Sequence, residues 1–270
     1  MSTSIHVTLG EVAAALGLVA VALAVSLWQR SGVEGDIGVA VARSFVQLTA
    51  IGYVVKLVFD TDSLALVVAL ISAMALMGAF TARGRARRVP GAFWPLLVAL
   101  AVAGAATLGL VVALGVFPAT PRYLVPVGGM IIGNAMTSAA VALNRLGDDV
   151  AAAAREIEAT LALGATASLA VRPLVRRSLR SAVIPLVDQT KTTGLIAFPG
   201  TMVGMLLAGA APVDAVRLQL VLLYVLLGGV SLAALVAVML AHRSFFTPAH
   251  QLRELEEHPE RELTREPRSR

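Results

Sequence analysis

The sequence predicts an all-α, polytopic membrane protein, and three observations carry that reading. Of the 270 residues, 57% are hydrophobic and only 14% are charged, far from the makeup of an average soluble domain. Seven apolar runs follow one another along the chain, each about 20 residues long, which is what a helix needs to cross roughly 30 Å of hydrocarbon. The arginines are not scattered but gather in alternate connections between those runs.

The first run covers about 8–28 ("TLGEVAAALGLVAVALAVSLW"). It reads as a span rather than a signal peptide, because it lacks a basic leading stretch and carries Glu11. The second, about 37–59, places Arg43 and Gln47 one helical turn apart on one face, with Arg43 near enough to an end to snorkel. The third and fourth cover about 63–82 and 92–117, the fifth about 123–144, the sixth about 185–207 and the seventh about 214–241.

Arg83, Arg85, Arg87 and Arg88 lie between the third and fourth runs, and Arg145, Arg155, Arg172, Arg176, Arg177 and Arg180 between the fifth and sixth. Arg30 and Arg243 fall on the same side, whereas the opposite connections hold Asp60, Asp62, Asp214 and a single Arg122. The positive-inside rule then puts the N-terminus outside and the C-terminus in the cytoplasm, which seven spans satisfy. The same distribution accounts for the net charge of +5 without nucleic acid as a partner. With no cysteine in the chain there is neither a disulfide framework nor a thiolate metal site. Residues 1–246 read as one transmembrane domain and 247–270 as a hydrophilic tail.

The segment of about 147–184 is the one long hydrophilic connection, and it is helix-forming. "DDVAAAAREIEATLALGA" opens with Asp148 and Asp149, suited to a helix N-terminus, and repeats Ile157, Leu161, Gly164 and Ser168 on one face. Arg172, Arg176 and Arg180 follow at four-residue spacing, and Pro173 predicts a break between two short helices. One reading is an amphipathic stretch lying on the membrane with its arginines near lipid phosphates. The other is a coupling element, in which Glu158-Ala159 and Gly164-Ala165 offer a close-approach surface to a partner chain.

Polar residues inside the spans mark a candidate pathway. In the fifth, Gly129 and Gly133 form a small-xxx-small pair, and Asn134 with Ser138 makes an adjoining polar line; a mid-membrane amide needs a partner or a wet cavity. The sixth opens with Asp188, Gln189, Thr190, Lys191 and Thr192, and "FPG" around Pro199 interrupts it. Asp188 and Lys191 can pair near the cytoplasmic surface or serve as a gate at the cytoplasmic mouth. Gly200 and Gly204 repeat the small-residue spacing. Met130, Met136, Met202 and Met205 are thioethers that more often serve packing than metal binding, and no metal-ligand spacing is visible.

The Glu158–Ala165 pattern resembles the EAA loop of ABC-transporter permease subunits, with Thr160 where a second alanine would stand. "ARSFVQLTAIGYV" (42–54), "VPVGGMIIGNAMTSAAVALNRL" (125–146) and "VIPLVDQTKTTGLIAFPGTMVGMLLAGAAPVDAVRLQLVL" (183–222) resemble the Fet-type iron-export permease family, which includes plant aluminium-tolerance permeases. That resemblance implies a multi-pass plasma-membrane permease, paired as a homodimer with a separately encoded ATPase. Glu158, Ala159, Gly164, Ala165, Arg172 and Arg176 would then couple to the ATPase, and Asn134, Ser138, Asp188, Gln189, Lys191 and Pro199 would line the path. It implies iron as the solute, although plant relatives are linked to a nucleotide sugar.

The residues independently exclude a built-in motor. The only lysines are Lys56 and Lys191, and "PLVDQT" before Lys191-Thr192 has no glycine to cradle a phosphate. No cofactor is called for, and no catalytic constellation is present, because His6, His242, His250 and His258 all lie at chain ends. Two other classes stay open on the residues alone: an ATP-independent transporter using Asp188 or Glu11 as a proton site, and a membrane scaffold that transports nothing.

Overall fold

Long runs of Ala, Leu and Val have one way to satisfy their backbone in lipid within a single segment, the helix. The computed structural model describes residues 8–29, 32–247, 249 and 251–253. In order come α1 (Leu9–Gln29), α2 (Glu34–Thr61), α3 (Leu64–Arg83), α4 (Phe93–Ala113), α5 (Pro121–Ala152), α6 (Ala154–Ala162), α7 (Ala167–Thr192), α8 (Gly200–Leu207), α9 (Pro212–Ala241) and a 3-10 turn at His242–Phe245. Five segments among the described residues are long and apolar enough to cross a membrane: α2, α3, α4, α5 and Pro212–Phe245. Both α5 and α9 start on a proline, where a missing N–H costs nothing.

The core is built around α5, which contacts α3, α4, α7 and α9. Its interior is dominated by alanine: Ala79, Ala82, Ala99, Ala103, Ala135, Ala139, Ala142, Ala233, Ala234 and Ala237 are fully buried. Lipid tails are as apolar as leucine, so association rests on close contact of small faces, and alanine allows it. By contrast α1 pairs mainly with α2, tied by Ser26 Oγ donating to Glu34 Oε1 at 2.7 Å. Apart from Val58, α2 presents no fully buried residue, and Leu48 and Tyr53 are 70% and 74% exposed.

Three sequence expectations are corrected. Asp148 and Asp149 do not start a helix; α5 runs past them to Ala152. Asp148 instead receives Arg88 Nη1 at 2.6 Å, and Asp149 pairs with Arg145 at 3.1 Å. Nor does the chain break at Pro173, which lies inside the continuous α7. The break falls at Leu163–Thr166, where Gly164 adopts φ +87°. Gly164 N–H donates to Leu161 C=O at 2.9 Å and Ala165 N–H to Thr160 C=O at 3.3 Å. This pair closes α6 as a Schellman cap, and a left-handed φ is what glycine supplies without penalty. Third, the glycines at Gly133, Gly200 and Gly204 do not pack helices within the chain, for a Cβ at each would meet open space.

Close approach is required elsewhere. A Cβ on Gly147 would lie 2.9 Å from Arg88 Cβ, so the loop before α4 rests directly on α5. Gly147→Val is expected to cost about 1–3 kcal/mol through overpacking, read as a lowered melting temperature of the purified protein in detergent.

The predicted sixth span is in fact two pieces. α7 reaches Thr192, seven non-helical residues follow, and α8 resumes at Gly200. Inside the gap Gly194 has φ +87° and donates to Ala197 C=O at 2.9 Å. The interruption that "FPG" signalled is therefore present, with Pro199 as the residue before α8. The tail beyond Arg253 lies outside the described residues.

Candidate functional site

The candidate side chains fall into two groups, one at each end of α7. The Arg-rich end holds α6 and the start of α7. Ile157 is buried at 2% exposure and Leu161 rests against the core, which anchors α6 by one face. Glu158, Ala159 and Gly164 are exposed, Ala165 partly so, and Leu163 at the tip is 89% exposed. Thr166 caps α7, its hydroxyl accepting from Leu169 N–H at 3.4 Å. Arg172 and Arg176 are exposed on the next turns and make no ion pair among the described residues. Pro173 is tolerated there because it too is exposed and leaves only the Leu169 carbonyl, near the helix start, without its donor.

The opposite end of α7 carries the polar group. Ser138 Oγ on α5 donates to Ala182 C=O on α7 at 2.8 Å, one residue beyond the carbonyl that Pro185 leaves without its usual donor. Further along, Leu186 packs in one cluster with Ile131 and Val127, so the two helices run antiparallel in this register. Asn134, one turn from Ser138, therefore falls at the level of the 185–189 turn. Its Nδ2 donates to Met130 C=O at 2.8 Å, leaving the side-chain oxygen free at an exposed position.

Asp188 and Lys191 do pair, Nζ to Oδ1 at 3.4 Å, and both remain open, at 61% and 70% side-chain exposure. The unbroken α7 nevertheless puts them at its far end from the Arg-rich elbow and not beside it at the expected cytoplasmic mouth. Gln189 is exposed and accepts, through its backbone carbonyl, the hydroxyl of Thr193 at 2.8 Å. These groups sit on the last turn before the non-helical segment, whose Leu195, Ile196 and Phe198 are 89%, 81% and 61% exposed. The structure thus brings Asn134, Ser138, Asp188, Gln189, Lys191 and Pro199 to the two helices α5 and α7 and the gap that follows. It leaves Arg43 and Gln47 on the outlying α2, and Glu11 bonded to Thr8 N–H at 2.7 Å at the start of α1.

One residue escaped sequence reasoning. Gln219 on α9 is 5% exposed, and its Oε1 has no hydrogen-bond partner. A single glutamine in a leucine-rich run was the available signal. Among the described residues no group of three or more His, Asp or Glu is placed to hold a metal ion. Met202 is buried, and Met130 and Met136 pack against core clusters.

An all-helical bundle of long apolar helices, one of them broken beside polar groups, has the architecture of a multi-pass membrane protein. The chain belongs to the Uncharacterised protein family (UPF0014), whose model matches residues 9–246. It is 42% identical over 239 residues to the UPF0014 membrane protein STAR2 of Oryza sativa subsp. japonica, covering 88% of this chain and 84% of that protein. Against Protein ALUMINUM SENSITIVE 3 of Arabidopsis thaliana the identity is 38%, with 89% and 88% covered. Against the Probable iron export permease protein FetB of Escherichia coli (strain K12) it is 35%, with 92% and 95% covered. These relatives match the Fet-type resemblance read from the sequence. No solved structure matches the chain.

Proposed function

We propose that this chain is the permease subunit of an ATP-driven exporter, with a metal, iron first, as its solute, and that a separate ATPase docks on α6 and the start of α7. The observation that carries the reading is the α6–Gly164–α7 elbow. Anchored by Ile157 and presenting the free Leu163 tip, it continues without interruption through α7 to the Asp188–Lys191 pair. A displacement at the elbow is thereby delivered to the polar group by one helix. The relative named as a probable iron export permease supports the solute. Oxygen donors such as Asp188 and Asn134 suit iron as a passing ligand.

Two copies would complete the path. Non-helical backbone at membrane depth is tolerated only where protein or a wet cavity covers it, and one chain leaves 194–198 exposed. The uncovered Gly133 on α5 and Gly200 and Gly204 on α8 would admit a second chain. In that arrangement the N-terminus lies outside and the elbow in the cytoplasm.

The test is copurification with a coexpressed ATPase of the ABC type. Wild type should bring the ATPase, while Gly164→Trp, with its added left-handed strain, and Leu163→Asp, which leaves the backbone alone, should both lose it. Wild type emerging alone in mild detergent would remove the ABC reading and favour the ATP-independent transporter.

A further inference from the structure

Resting on the coupling reading above, we infer that the chain just after α9 is the second wall of the ATPase docking site, so that the partner grips α6 and the C-terminal turn together. After the last span the backbone doubles back. Phe246 bridges Leu252 in antiparallel fashion, Thr247 N–H donates to Gln251 C=O at 2.9 Å, and Arg253 N–H to Phe245 C=O at 2.8 Å. Gln251 N–H also reaches Thr247 Oγ1 at 3.2 Å. Phe245 is fully buried and Phe246 nearly so, while Leu252 rests on the main core cluster. One bridge and these hydrogen bonds tie residues 245–247 to residues 251–253.

The turn lies beside the elbow. Together they line an open groove of about 520 Å³ formed by Glu158, Leu161, Ala165, Ala249, Gln251 and Leu252. Three of its residues come from the coupling segment and three from the turn, and Leu161 and Ala165 flank the exposed Leu163 in sequence. Its chemistry selects a protein partner. The lining is mixed, with Leu161, Leu252, Ala165 and Ala249 beside the polar Gln251 and the Glu158 carboxylate, which makes no ion pair among the described residues. A surface helix offering an apolar side chain next to a basic one satisfies both, whereas a lipid phosphate would be repelled by Glu158.

The two walls are also linked behind the groove. His242, buried at the end of α9, contacts Ser168 Oγ at 3.4 Å through Nε2 and Val238 C=O at 3.3 Å through Nδ1. A partner seated in the groove therefore acts on the ends of α7 and α9 at once.

The chain has no cysteine, so a single introduced thiol reports one place. Gln251→Cys and Ala165→Cys, carrying a thiol-directed photo-crosslinker, would be irradiated in membranes coexpressing the ATPase. Both are expected to crosslink to it, and Ala249→Arg should reduce copurified ATPase by at least about tenfold with the melting temperature of the chain unchanged. Crosslinking from position 165 but not 251 would overturn the second wall and leave the coupling reading intact. Failure at both positions would sink the coupling reading itself. A product joining position 251 to a second permease copy, or to the chain's own tail, would overturn the inference by naming another occupant.

Discussion

Asp188→Asn and Lys191→Gln are each expected to lower transport by about tenfold or more, the equivalent of 1.4 kcal/mol, with the protein still present in the membrane at normal level. Each leaves its former partner as a lone charge beside a broken helix, where an uncompensated ion is expensive. The pair itself, at 3.4 Å and mostly exposed, contributes little to stability, so the fold should survive either change. The double variant separates the roles. If the pair only neutralises itself, Asp188→Asn with Lys191→Gln restores transport; if the groups meet the solute, transport stays lost while assembly is normal. The second outcome is expected, because both side chains remain open. Solute efflux from loaded vesicles, measured beside expression level, reads the difference.

On the two-copy arrangement proposed above, Gly133→Trp is expected to leave a folded monomer without transport activity. Within the chain the substitution meets nothing, since a Cβ there faces open space, and the neighbouring Thr137 and Asn134 are exposed as well. A second copy seated on this face could not accept the indole. Mass measurement in native-like membrane particles checks the state, and a thermal melt checks the fold. A dimer of unchanged stability and full activity would place the contact between copies elsewhere.

Five of the seven expected spans were readable because lipid imposes one length and one structure on an apolar run, as α3 and α9 illustrate within two residues of their expected bounds. The interruption before α8 was readable too, since Pro199 and Gly200 have few other uses in a membrane helix. What failed was the choice between Pro173 and Gly164 as the break. A proline at an exposed helix position costs one hydrogen bond, which water can replace, whereas a cap needing positive φ is decided by how the following turn docks. Asp148 was misread for a related reason: its partner Arg88 is 60 residues away in sequence, and local charge pattern carries no sign of it. The helical elbow that carries the proposed coupling residues was legible only as a pattern, and the C-terminal turn not at all, because its order depends on Phe245 finding the core.

The alanine-lined interior makes tolerance to substitution one-sided. In a leucine core, damage comes from truncation and the voids it leaves. Here Ala79, Ala103, Ala139 and Ala234 have little to lose and no room to grow, so glycine is the mild replacement and valine or leucine the harmful one. Sequence drift along α3, α4, α5 and α9 is consequently fenced by volume rather than by polarity. The outlying α1 and α2, exposed along most of their described length, are free to exchange one bulky apolar residue for another.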